Sequence, residues 1–500
     1  MGTLDCMMMH ALSARSLARD LGAWHDNGGR RASRPAYRAL ADGIRLLVHD
    51  GRVPLGSALP SERELAAELE LSRTTVTSAY AVLRDEGYVL SRQGSRTTVA
   101  LPDSVNRAAA QQRPRHLPPS DEPLVDLSYA AMVAPVAEVE EAYGAALHEL
   151  PPFLSTHGME PVGIAVLREA VAARYRARGL ETSTDQIMIT SGAQHALRLL
   201  LGVLTAPGER VLVDHPTYPN ALEAIRRVGA RPVPVPVRPE GGTSRGWDLD
   251  AIRGAARQTA ARMAYLLPDF HNPTGLCLDE LGRAELARIA RETRMTLVVD
   301  ETMVDVWLDG PPPPPVAALA RDTSGADVVT VGSISKSHWG GMRVGWIRAN
   351  PELIARLAGS RSALDLGTPV MDQLAAAHLL ALGDEPIAER RALLRVQRAA
   401  MLDELSARLP DWVPTVGSGG MSLWLRMPAA VSTALAATAP SHGVVLAAGP
   451  RFGVEGAFER FIRLPYARPV DELRRAVAGV AAAYSALGVG TEAVEPALVV

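Results

Sequence analysis

The sequence predicts a multidomain chain: a small α+β module of winged helix-turn-helix pattern near its start, then a much larger α/β domain. Three observations predict this. Residues 35–100 hold helix-length apolar periods with recognisable caps, followed by two short apolar runs around a glycine. From Leu124 onward, short Val-, Ile- and Leu-rich runs alternate with helical patterns. Between the two, residues 101–123 are rich in Pro, Ala, Gln and Arg and have no apolar period, which reads as a linker. At 500 residues, 47% hydrophobic, the chain can bury two cores.

Residues 1–34 are expected to be a flexible N-terminus. Met1–His10 contains Cys6-Met7-Met8-Met9 but lacks the long apolar core of a signal peptide. The first helix of the module spans Ala36–Asp50, with Ile44, Leu47 and Val48 at helical spacing, and Gly51 and Pro54-Leu55-Gly56 end it. Ser61 with Glu64 forms a capping box for a second helix whose buried face is Leu65, Ala66 and Leu69. Ser72 is the N-cap of a third, with Val76, Tyr80 and Leu83 on one face. Gly87–Val99 supplies two short strands around a glycine turn. The third helix presents Arg73, Thr74, Thr75 and Thr77 from its first turn, where arginine and short hydroxyls suit phosphates and base edges. A helical dimerisation module with a merely solvated threonine face has the same pattern.

An unstructured linker of residues 101–123 spans about 25–30 Å, enough to let the module move. The large domain, 124–490, has strand candidates at 186–190, 210–213, 231–235, 263–267, 296–299 and 327–331, which predict a mostly parallel sheet. Pro311–Pro315 reads as a rigid surface loop and 491–500 as a tail. Net charge is −3, so no global field advertises nucleic acid and any basic patch is local. The two cysteines make no disulfide framework, which fits a reducing cytoplasm, and no apolar run is long enough to cross a membrane.

The centre of the large domain is Lys336, the single lysine among 52 basic residues. Lysine, unlike arginine, can lose its proton and attack a carbonyl, and burial or a cationic neighbour favours the free amine. A chance surface lysine is the bland alternative, but Ser333, Ser335, Gly340, Gly341 and Arg343 cluster around this one. In parallel sheets, ligands sit at the carboxyl ends of strands, and the other polar candidates fall there. Ser191-Gly192-Ala193-Gln194 opens a helix whose free amides suit a phosphate. Tyr218 can stack on a flat ring or simply pack. Asn272 brings a side-chain amide to a strand end. Asp300 can cap a helix or hold a cationic ring nitrogen. Ser333, Ser335 and Arg343 can contact phosphate. Arg463, between Phe461-Ile462 and Leu464-Pro465, is a surface arginine or a carboxylate fork pointing into a site.

Two resemblances sharpen this reading. Leu59-Pro60-Ser61-Glu62-Arg63-Glu64-Leu65, Ser72-Arg73-Thr74-Thr75-Val76 and Gly87-Tyr88 resemble the GntR-type winged helix. That resemblance implies DNA contacts from Arg63, Arg73, Thr74 and Thr75, with Gln93-Gly94 at the wing tip reaching the minor groove. Ser72 and Thr77 complete the expected DNA-facing set. The motifs Ser-Gly-Ala-Gln, Asn272-Pro-Thr-Gly, Asp300-Glu and Ser333-x-Ser-Lys336 resemble the fold type I aminotransferases, which carry pyridoxal 5'-phosphate. The resemblance implies a Schiff base at Lys336, Asp300 on the pyridine nitrogen, Asn272 on the ring hydroxyl and Tyr218 on the ring face. It also implies Ala193, Gln194, Ser333, Ser335 and Arg343 on the phosphate, and Arg463 on the carboxylate of an amino-acid ligand.

Two positions depart from the aminotransferase pattern. Met303 and Met159, the latter in Met159-Glu160-Pro161-Val162-Gly163, stand where that family usually has tyrosines. A thioether supplies no such hydrogen-bond donor, so efficient transamination is in doubt. The whole chain resembles the MocR branch of the GntR regulators. This implies a cytoplasmic, nucleoid-associated homodimer on double-stranded DNA, in which an amino acid or other amine effector displaces Lys336, engages Arg463 and shifts the lobes and winged helices. An aminotransferase with an accessory DNA module is the alternative, and a DNA-binding protein with an inert dimerisation scaffold a third.

Overall fold

Ser61 and Ser72 start the two central helices of the N-terminal module. Ser61 Oγ accepts from the Glu64 amide at 3.2 Å and Glu64 Oε2 accepts from the Ser61 amide at 3.0 Å, the reciprocal box expected from the sequence. Ser72 Oγ accepts from the Thr75 amide at 3.1 Å. The computed structural model describes residues 12–22, 35–49, 53, 58–90, 97–100, 124–238, 246–320, 327–454 and 457–488. In it the module comprises α1 (Ala14–Leu21), α2 (Ala36–His49), α3 (Glu62–Glu68), α4 (Arg73–Asp85) and the antiparallel strands β1 (Val89–Leu90) and β2 (Thr98–Val99). Val76, Tyr80 and Leu83 are buried against Leu40, Ile44 and Leu65, and the Tyr80 hydroxyl donates to the Pro60 carbonyl at 3.0 Å.

The stretch 1–34 does not lack structure throughout, because Ala14–Leu21 is a helix capped by Ser13, whose Oγ accepts from the Ser16 amide at 3.1 Å. Leu17 and Leu21, one turn apart, are buried in the module core. Eight residues are too few to hold a helix alone, so tertiary burial holds this one and its short apolar period is easy to overlook. The wing tip with Gln93 and Gly94, the linker 101–123 and the tail 491–500 lie outside the described residues.

After the linker, β3 (Val125–Asp126) joins the smaller lobe of the large domain. The larger lobe is a seven-stranded sheet of β4 (Ile187–Thr190), β5 (Arg210–His215), β6 (Arg231–Pro236), β7 (Met263–Leu266), β8 (Thr296–Asp300), β9 (Val328–Ser333) and β10 (Gly345–Arg348). The order is β4-β10-β9-β8-β7-β5-β6, and only β10 runs antiparallel to its neighbours. The six expected strands are present. The seventh, β10, is four residues long, begins with glycine and ends with arginine, so its sequence reads as loop. Apolar layers cover both faces of the sheet, which is why the parallel strands are continuously apolar.

The smaller lobe holds an antiparallel sheet, β11 (Val413–Thr415), β12 (Ser422–Arg426), β14 (Ala447–Ala448) and β15 (Phe461–Pro465), in the order β11-β12-β15-β14. A further short strand, β13 (Val444–Val445), pairs in parallel with β3. The segment leaving the linker is therefore part of this lobe. In addition, α2 packs against the lobe's helix Ser432–Thr438, and Leu46 reaches its core.

Candidate functional site

The carboxyl ends of β4, β5, β7, β8 and β9 meet β14 and β15 of the smaller lobe around a cavity of about 240 Å3. Its wall brings together all ten residues singled out from the sequence: Ala193, Gln194, Tyr218, Asn272, Asp300, Ser333, Ser335, Lys336, Arg343 and Arg463.

Lys336 lies in a π-helical turn, Ser335–Trp339, directly after β9. Its Nζ donates to the Ala130 carbonyl at 2.5 Å. Burial, then the Arg463 charge, lowers the pKa of this amine to about 8, against the opposing pull of Asp300. Roughly a tenth of the amine is then neutral at pH 7, where an ordinary lysine is almost wholly charged.

Asp300 ends β8 as a buried carboxylate. The Tyr265 hydroxyl donates to one oxygen and the Thr302 amide to the other at 2.8 Å. Burial raises its pKa, so a cation beside it is strongly favoured. Tyr218 N-caps the helix Pro219–Arg227, and its hydroxyl accepts from Asn220 Nδ2 at 2.9 Å. Asn272 Oδ1 accepts from Arg463 Nη1 at 3.3 Å.

At the other end of the cavity, helix Ala193–Leu204 begins at Gly192 with no side-chain cap on its first amides. Gly192 has φ 91°, and a Cβ there would stand 2.6 Å from Arg343 Nη2. Only glycine lets that guanidinium lie across the helix start, where Arg343 donates to the Ser191 carbonyl at 3.1 Å. Ser333 and Ser335 hydroxyls lie 2.8 Å apart beside it. The buried Gln194 Oε1 has no hydrogen-bond partner among the described residues. Uncapped amides, a guanidinium and paired hydroxyls form a cradle for a phosphate dianion.

Arg463, on β15, is 5% exposed, so it points into the site. Its Nη2 donates to the Ser128 carbonyl at 2.5 Å, its Nε has no partner among the described residues, and its guanidinium lies 4.8 Å over Phe452. Burial, then Arg451, lowers its pKa to about 10.

Several wall residues were not foreseen. Tyr265 falls within the strand candidate 263–267 with no role of its own, although a phenol in a wholly buried aliphatic strand needs a polar partner, and that is the available signal. Ser128–Ala131 and Arg451 carry no motif. Met303 is buried and brings a thioether to the cavity wall, whereas Met159 is 53% exposed on the surface.

The DNA-facing candidates sit together on the module. Arg63, Ser72, Arg73, Thr74 and Thr77 are exposed and Thr75 is half-buried. The Ser72 hydroxyl contacts those of Thr74 and Thr75 at 2.8 Å each. Thr77 donates to Glu62 at 2.8 Å, and Arg73 lies 3.8 Å from the same carboxylate. Glu62 thus faces α4, and Arg63 is exposed.

A buried lysine amine, a helix start flanked by a guanidinium and two hydroxyls, a buried carboxylate and a phenol line one cavity of an α/β domain that fits pyridoxal phosphate, here preceded by a winged helix. Residues 155–480 match the family model for aminotransferase class I and II, and residues 36–99 match that for bacterial regulatory proteins of the gntR family. The chain belongs to the aminotransferase class I and II family and carries a GntR-type module at its start, the MocR-type architecture of a transcription regulator. It is 28% identical to the uncharacterized HTH-type transcriptional regulator YdfD of Bacillus subtilis, over 89% of this chain and 95% of that protein. It is 32% identical to the 2-aminoadipate transaminase of Thermus thermophilus, over 61% of this chain and 75% of that one. The crystal structure of LysN, an α-aminoadipate aminotransferase from Thermus thermophilus complexed with N-(5'-phosphopyridoxyl)-L-leucine, superposes with a TM-score of 0.67 at 28% identity, covering 73% of this chain and 92% of that one.

Proposed function

We propose that the chain is a pyridoxal-phosphate-dependent transcription regulator that senses an amine effector at Lys336. Lys336 would hold the cofactor through its amine, and the cofactor's aldehyde would supply the electrophilic carbon at which one amine can replace another. Ala193, Gln194, Ser333, Ser335 and Arg343 would hold its phosphate, Asp300 its ring nitrogen and Asn272 its hydroxyl, and Tyr218 would stack on its ring. Arg463 receives the effector's carboxylate.

One observation carries the sensing step. The two groups that an amino-acid ligand addresses, the Lys336 amine and the Arg463 guanidinium, are both capped by carbonyls of one segment, Ala130 and Ser128. That segment follows β3 directly, and β3 follows the linker to the DNA module. A ligand that takes the place of these carbonyls releases the segment, and α2, packed on the same lobe, is positioned to feel the change. Two modules side by side on DNA require a homodimer. Exposed Val133, Val136, Leu147, Leu154, Met159, Leu364 and Leu366 supply apolar surface for one. On DNA, Arg63, Arg73, Thr74 and Thr75 make the contacts, with Ser72, Thr77 and the wing tip Gln93-Gly94 around them. These activities belong in the cytoplasm, on the nucleoid.

The test is the visible spectrum and DNA affinity of the wild type and of Lys336→Ala, with a fragment from upstream of the chain's own gene. A band absent from Lys336→Ala, and DNA affinity that responds to an added amine, is the expected result. Repeated turnover of amino acids with a 2-oxo acid, with DNA ignored, makes the protein an aminotransferase instead. The cavity-lining Met303 speaks against that outcome.

A further inference from the structure

Asp300 is the one carboxylate among the residues that line the cavity, and it is 5% exposed. Burial favours its neutral form, whereas only the ionised form holds a ring cation. Something on the protein must therefore keep the proton off this group.

Two donors act on it, one on each oxygen. The Thr302 amide is local, two residues along the chain. The Tyr265 hydroxyl comes from the neighbouring strand, since β7 pairs with β8 and Tyr265 lies opposite Val298. Tyr265 is 1% exposed and itself lines the cavity. Burial, then the charge of Asp300, raises the pKa of this phenol well above the ordinary value, so it keeps its proton and stays a donor. Both donated bonds work against the effect of burial on Asp300. A bond from a phenol to a buried carboxylate is charge-assisted and favours the charged form. Lys336, Tyr218 and Asp269 are the other titratable groups whose charges couple with that of Asp300.

We propose that Tyr265 is a positioning residue of the cofactor site: its hydroxyl holds the Asp300 carboxylate ionised and oriented for a protonated ring nitrogen. This rests on the reading of the cavity as a pyridoxal phosphate site and adds what sets the charge within it. A ring nitrogen that keeps its proton draws electrons from the aldehyde carbon, so the Tyr265 bond bears on how readily an amine adds there.

The experiment adds pyridoxal 5'-phosphate to the full-length apoprotein between about pH 6 and 8, where the unperturbed carboxylate stays ionised. It follows the visible band and the quenching of tryptophan fluorescence. Tyr265→Phe is expected to bind the cofactor about tenfold or more weakly, the size of one charge-assisted bond. The deficit is expected to grow as pH falls, because a carboxyl without this donor takes up its proton at higher pH. In Asp300→Asn, which cannot ionise, adding Tyr265→Phe is expected to change affinity by less than about twofold. A 3-fluorotyrosine installed at position 265 keeps the shape and donates more strongly, so it is expected to hold the cofactor to lower pH than wild type does. Equal losses from Tyr265→Phe with and without the Asp300 carboxylate mean a packing role and overturn the inference, as does an unchanged affinity. Should Tyr265→Phe fail to fold, a fluorotyrosine protein that loses the cofactor at higher pH than wild type overturns it. Wild type that gains no band and keeps its fluorescence overturns the cofactor reading itself and this inference with it.

Discussion

Lys336 carries its own pH signature. Its folded pKa is about 8, against about 10.4 for an exposed lysine in an unfolded chain. Between those values the unfolded chain holds a proton that the folded one has released, so stability rises with pH across that window. Below about pH 8 both states are protonated, and the penalty for the buried charge is felt in full. Lys336→Met removes the penalty. Without cofactor this variant is therefore expected to unfold at higher urea than wild type at pH 7, and the gap should close as pH approaches 10. A gap that stays constant from pH 7 to 10 means that the amine is not perturbed. At this scale the site was legible because each expected role demands a residue type: an amine, a carboxylate, an amide and a glycine at defined strand ends. Tyr265 and Arg451 were illegible for the opposite reason. Their places on the wall arise from strand pairing and a turn, without any motif around them.

At the scale of elements, α4 is the helix whose placement DNA binding needs. Its cap bond from the Thr75 amide to Ser72 is expected to be worth about 1 kcal/mol, so Ser72→Ala should lower the module's unfolding free energy by that amount. Arg73 is 74% exposed and only loosely paired with Glu62. Arg73→Ala is expected to weaken DNA binding across sequences and to reduce the slope of log K against log salt by about 1 per module. An unchanged slope removes Arg73 from the phosphate contacts. Leu17→Ala tests the added helix: a fully buried leucine facing Leu40 and Leu65 should cost about 2–5 kcal/mol. The caps of α3 and α4 were readable because Ser and Glu stand at fixed offsets. Neither α1 nor β10 was, since eight residues with two leucines and four residues bounded by glycine and arginine owe their structure to partners far away in the chain.

For the whole molecule, the question is what joins the amine site to DNA. Two routes from the smaller lobe to the module can be tested: the covalent path from segment 128–131 through β3 into the linker, and the packing of α2 on helix Ser432–Thr438. If occupancy of the site changes DNA affinity by some factor, DNA must change effector affinity by the same factor, commonly about 5–150-fold in coupled systems. Measuring both binding curves with and without the other ligand checks that reciprocity. Inserting a Gly-Ser stretch between Pro123 and Leu124 slackens the covalent path while leaving both sites intact, so the factor is expected to fall toward one with each affinity alone nearly unchanged. Leu46→Glu disrupts the packing path, because Leu46 is the α2 side chain that reaches the smaller lobe's core. A factor that survives the insertion but is lost in Leu46→Glu assigns transmission to α2. Loss with the insertion alone assigns it to the segment that caps Lys336 and Arg463.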